Sequence, residues 1–78
     1  MNDFLGTIWR WKTFDNSFYI VYDYPNSNSG YIIYDDVFLI LSYLPNRDVF
    51  MVIIDGKIGH INASSFKVWL DNCLERIQ

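Results

Sequence analysis

The sequence predicts a small, mainly β protein: a compact, strongly bent barrel of five or six antiparallel strands, followed by a C-terminal amphipathic α-helix. Three observations predict it. Asp55-Gly56 sits between two β-rich runs, residues 49–54 and 57–61. Such a pair is the strongest short-range hairpin signal, because both central residues of a type I′ turn need positive φ. Upstream, turn-forming clusters cut the chain into short segments rich in β-branched and aromatic residues. Downstream, Phe66, Trp69, Leu70, Cys73, Leu74 and Ile77 recur at the spacing of one helical stripe. With 78 residues there is room for one domain, spanning 1–78.

Residues 5–12 form the first expected strand, an addition before the main barrel. Period two places Thr7, Trp9 and Trp11 on one face and Gly6, Ile8, Arg10 and Lys12 on the other. Residues 13–17 read as a polar connection around Phe14. Residues 18–24 make a second strand, apolar on both faces. Pro25-Asn26-Ser27-Asn28-Ser29-Gly30 reads as a loop. A short strand follows at 31–34, then a turn at Asp35-Asp36, since adjacent like charges suit a strand interior poorly. The next strand spans 37–43 and is closed by Pro45-Asn46-Arg47-Asp48, where Pro45 supplies a fixed φ. The hairpin of 49–61 comes next, with Gly59 marking a bend in its second arm. Ser64 or Ser65 caps a helix over 64–77, with Lys67, Asp71, Asn72, Glu75 and Arg76 off its apolar stripe. This helix is expected to seal an open end of the barrel; the alternative is that its apolar stripe faces a partner.

Composition narrows the function. Hydrophobic residues make up 51% of the chain and aromatics 19%. A chain this short buries only about 60–65% of its extended surface, so its interior is thin. Some of the apolar side chains are therefore expected on the surface, where a contiguous patch marks a contact site. Net charge is −3, with only six scattered Lys and Arg. That disfavours nucleic acid, which requires clustered cations to displace phosphate counterions. One cysteine, Cys73, excludes an internal disulfide and fits a reducing, cytoplasmic setting. One Cys and one His cannot nucleate a metal cluster, and no cofactor motif is present. The N-terminus lacks a basic region before a long apolar run, so neither a signal peptide nor a membrane span is expected. A phage or mobile-element origin is expected from this small, acidic composition.

No catalytic constellation is expected. Asp35 and Asp36, as strand neighbours, would point to opposite faces and cannot easily share a substrate, so they read as a solvated turn. His60 has no orienting acid at a recognisable spacing. Cys73 lies on the apolar stripe and reads as a small core hydrophobe. Ser64 and Ser65 read as caps, and no glycine loop is built to cradle a phosphate.

From residue 21 to about residue 69 the chain resembles an SH3-type barrel. Val21-Tyr22-Asp23-Tyr24 is similar to the opening motif of that family, and Asp36-Val37-Phe38-Leu39-Ile40-Leu41 to its acidic-then-apolar second strand. Gly56-Lys57-Ile58-Gly59-His60-Ile61, followed by Ala63-Ser64-Ser65-Phe66, resembles its closing run and the aromatic after its short helical turn. The resemblance implies a divergent SH3-like fold and an aromatic-lined groove with Tyr22, Tyr24 and Phe66 in it. Phe50 stands at the position of the groove's tryptophan and Asn62 at that of its proline. The acidic ligand-reading loop is replaced by neutral residues 25–30. Under strict resemblance 66–70 would be a final strand, whereas the periodicity predicts helix.

The function expected from these features is a non-enzymatic protein-interaction module, a stand-alone small binder, inhibitor or regulator. Its contact residues are expected among Trp9, Trp11, Tyr19, Tyr31 and Tyr34, together with Tyr22, Tyr24 and Phe50 of the implied groove. Two other uses of the same aromatics are a single-stranded nucleic-acid platform, opposed by the acidic balance, and a homodimer or small subunit of a larger assembly.

Overall fold

In a computed structural model, which describes residues 2–78, each expected β segment becomes a strand. A 3-10 turn, η1 (Asn2–Phe4), precedes β1 (Ile8–Trp11), β2 (Phe18–Tyr24), β3 (Asn28–Ile32), β4 (Val37–Leu44), β5 (Val49–Ile54) and β6 (Lys57–Asn62). Helix α1 (Ala63–Trp69) and a last strand, β7 (Leu74–Arg76), follow. The strands form one antiparallel sheet in the order β3-β2-β6-β5-β4-β1-β7, curled into a half-barrel whose edges are β3 and β7.

The turns are those the residues require. Asp55 and Gly56 have φ of 51° and 72°, as a type I′ hairpin demands. Gly59 lies where β2 crosses closest to β6: a Cβ there would stand 2.8 Å from the Val21 carbonyl oxygen. Register shifts between Tyr22 and Tyr24 in β2, and between Ile40 and Ser42 in β4, add local twist and bend the sheet.

The concave side is the core. Period two sends Trp9, Trp11, Phe38, Ile40, Phe50, Val52, Phe18 and Ile20 inward, all buried. Phe66 from α1 and Phe4 from η1 close over them. Phe4 meets Trp9, Phe50 and Phe66 edge-on at ring-centroid distances of 6.1, 6.0 and 5.1 Å, and Phe66 meets Trp9 at 5.2 Å. Each such pair contributes about 0.5–1.5 kcal/mol beyond the area it buries.

Four expectations are corrected. The described residues form seven strands, not five or six. The helix ends at Trp69; the chain turns and returns as β7 against β1, with Leu74 opposite Trp11. Cys73 and Leu74 are buried as the stripe requires, but the turn also supplies hydrogen-bond partners to the outer edge of β1, which further helical turns would leave unpaired. The helix cap is Asn62, whose side chain accepts from the Ser65 N–H at 2.8 Å, rather than Ser64 or Ser65. Residues 28–30, expected in a loop, are strand, because pairing with Ile20, Val21 and Tyr22 overrides the weak β preference of Asn, Ser and Gly.

Gly59→Ala is expected to cost about 3 kcal/mol in urea unfolding, because backbone must move. Gly30→Ala, whose Cβ would meet only the Tyr22 ring at 3.1 Å, is expected to cost about 1 kcal/mol.

Candidate functional site

The eight expected contact residues do not form one surface. Trp9 is 6% exposed, and Trp11 and Phe50 are 0%. Their expected surface role is corrected: strand alternation turns all three into the concave core. Both indoles are satisfied there. Trp9 Nε1 donates to Thr7 Oγ1 at 2.7 Å, and Trp11 Nε1 donates to the Asn16 carbonyl at 2.9 Å. Phe66 is also fully buried, so of the aromatic set implied for an SH3-type peptide groove Phe50 and Phe66 are withdrawn from solvent, while Tyr22 is half-buried and Tyr24 exposed. Tyr22 is half-buried on the inner side of β2, with Lys57 Nζ 4.5 Å from its ring centre.

The remaining tyrosines are exposed, in three places. Tyr19 and Tyr31 face each other across β2 and β3 with ring centroids 5.7 Å apart. Tyr34 stacks on Phe14 at 3.9 Å, and Phe14 is 78% exposed. Tyr24 ends β2 opposite Ile58. Tyr19 and Tyr31 also wall an open groove of about 450 Å³, with His60, Asn62, Ser65 and Trp69 on its other sides.

The convex face carries a feature that the residue-by-residue reading missed. Ile8 pairs with Leu39, Leu39 with Ile53, and Ile53 with Ile58, so four aliphatic side chains stand in one row across β1, β4, β5 and β6. Ile77, whose N–H donates to the Ile8 carbonyl at 2.8 Å, extends the row at one end and Tyr24 at the other. None of these side chains faces the core. The outer face of an antiparallel sheet is ordinarily polar. The available signal was that residues 37–41 and 51–54 are apolar at both parities, which only a sheet covered on both sides requires.

Charges beside this row are matched within the chain. Arg10 bridges Glu75 at 2.6 Å and Asp35 at 3.0 Å, and these hydrogen bonds, Glu75 first, hold its guanidinium above its usual range. On the other side His60 Nδ1 lies 2.8 Å from Asp23 Oδ2 and Nε2 lies 3.3 Å from an Arg47 nitrogen. A guanidinium only donates, so Nε2 is the acceptor and Nδ1–H donates to Asp23. The orienting acid that the local spacing did not reveal is thus present, brought in across the β2–β6 pairing. The nitrogen that a general base would use is occupied by Arg47.

A third cluster anchors α1. Asp48 accepts from Tyr43 Oη at 2.9 Å and from Ser64 Oγ, while its carbonyl accepts from the Ala63 N–H at 2.8 Å. The Ser64 hydroxyl, then Tyr43, holds the Asp48 carboxyl below its usual range, and the same carboxylate holds Tyr43 above its own.

Among the described residues no group of three or more His, Cys, Asp or Glu side chains could hold a metal ion, and no helix is long and apolar enough to cross a membrane. Compared with known protein families, with curated proteins and with solved structures, the chain matches none.

The Asp48 cluster sets a pH dependence. A carboxyl whose folded pKa is depressed binds fewer protons when folded than when unfolded, so its contribution is complete above the ordinary carboxylate value of 3.8 and is lost as pH falls through the folded value. Thermal unfolding of the wild type is expected to lose more Tm between about pH 5 and pH 2 than that of Asp48→Asn, which has no charge there to lose. Parallel curves for the two proteins would remove Asp48 from the acid response.

Proposed function

We propose that this chain is a non-enzymatic protein-interaction module whose working surface is the convex face of its sheet. The observation that carries the proposal is the row Ile8–Leu39–Ile53–Ile58. A fully covered Leu or Ile contributes about 1.5–3 kcal/mol, so completing the burial of four half-exposed ones supplies several kcal/mol toward association. The row is flanked by the Arg10 ion pairs and the Asp23–His60 hydrogen bond, all satisfied within the chain, so the matching surface is apolar at its centre and polar at its rim. The preferred partner is another protein, and the chain acts on it by occupying a surface, as a small binder, inhibitor or regulator. A cytoplasmic setting fits the single, buried Cys73. The β4–β5–β6 meander followed by α1 supports a divergent SH3-like ancestry for the barrel, with the peptide groove of that fold unused.

The test is affinity capture from the native host with the wild type and with Ile53→Lys. Ile53 is 36% exposed on the outer face, so lysine there leaves the core intact. The variant is expected to fold within about 0.5 kcal/mol of the wild type and to bind the captured partner at least about tenfold more weakly. Equal binding by both proteins would overturn this surface. Salt-sensitive retention on single-stranded DNA, unchanged in Ile53→Lys, would instead assign the exposed tyrosines to nucleic-acid stacking.

A further inference from the structure

The two edges of the sheet are guarded very differently. β7 is three residues long and carries Glu75 and Arg76, a short charged edge that discourages further pairing. β3 is five residues long, Asn28-Ser29-Gly30-Tyr31-Ile32, and holds neither a charge nor a proline. Among the described residues it pairs with β2 on one side and with no strand on the other. No bulge twists it away, and it runs to Ile32, after which Ile33 turns onto Asp36. Its outward backbone N–H and C=O groups form an open template beside Tyr31, which is 58% exposed.

We propose that β3 is a self-association edge, on which β3 of a second copy of this chain pairs antiparallel about a two-fold axis through Tyr31. In such a contact every residue near the axis meets its own copy, so any charge there would repel its twin. In a chain of net charge −3, β3 is free of that penalty. The register sets Tyr31 opposite Tyr31 of the second copy and Gly30 opposite Ile32, and it ends there, because Asp36 already holds the Ile33 N–H and C=O. Tyr19 already faces Tyr31 edge-on at 5.7 Å, so pairing extends two rings into a row of four across the joined sheets. The contact closes on itself, because each copy has one unguarded edge and the other is short and charged. The product is a dimer, not a filament. Its area is that of a few strand residues a side, which places it among weak, concentration-dependent interfaces.

This contact is separate from the convex-face row, and the test separates the two. The purified chain is followed by sedimentation equilibrium from about 10 μM to about 1 mM, alongside Tyr31→Lys, Ser29→Lys and Ile53→Lys. The wild type and Ile53→Lys are expected to rise from 9.3 kDa toward twice that mass. Tyr31→Lys and Ser29→Lys, both changed at exposed positions of β3, are expected to stay at 9.3 kDa with unaltered circular dichroism. A wild type that remains monomeric throughout would overturn the proposal. So would a mass that climbs past the dimer, or a dimer abolished by Ile53→Lys and kept by the two β3 variants.

Discussion

The structure depends on closing the concave side of a half-barrel with very few residues. A seven-stranded sheet that stops short of a full barrel leaves its inner face open, and a seven-residue helix and one 3-10 turn must cover it. Only large rings can do this. Phe66 and Phe4 reach down from the two covering elements onto Trp9 and Phe50, and the four rings meet edge to face. The remainder of the inner face is arranged around that contact. Trp11 packs against Phe18 and Trp69, and the return strand β7 brings Leu74 opposite Trp11.

This closure determines what is left outside. The aromatic surplus of the sequence goes largely inward, and the apolar side chains left on the convex face of the sheet are chiefly aliphatic. Ile53, Leu41 and Val37 are exposed there. The exposed rings that remain are Tyr24 at the end of the aliphatic row, and Tyr19 with Tyr31 and Phe14 with Tyr34, which sit toward β3 and its flanking connections. Interior, convex face and open edge therefore have distinct chemistries, and the two inferred contacts use different parts of the surface.

Local features were legible in the sequence and nonlocal ones were not. The Asp55-Gly56 hairpin, the strand cores at 18–24, 37–43 and 49–54, and the shared face of Thr7, Trp9 and Trp11 follow from turn chemistry and period two. Which face turns inward is set by neighbours that period two cannot name: β1 lies between β4 and β7, and its indoles point at the helix. The end of α1 was illegible because Cys73 and Leu74 satisfy a helical stripe and a buried turn equally well; β1, more than sixty residues upstream, decides between them. The Asp23–His60 contact spans 37 residues and exists only through the β2–β6 register. The aliphatic row is of the same kind, since its members are neighbours across strands and strangers along the chain.

The division of the sheet into a packed inner face and an uncovered aliphatic outer face is most directly measured by methyl and indole NMR with a soluble paramagnetic probe. The account predicts strong broadening of the Ile53, Ile58 and Ile77 methyl signals. The methyls of Ile20, Ile32, Ile40, Ile54 and Ile61, and the indole N–H signals of Trp9 and Trp11, should stay sharp. Broadening of both indoles together with protection of Ile53 and Ile58 would mean that the sheet is inside out relative to this description, and would contradict it.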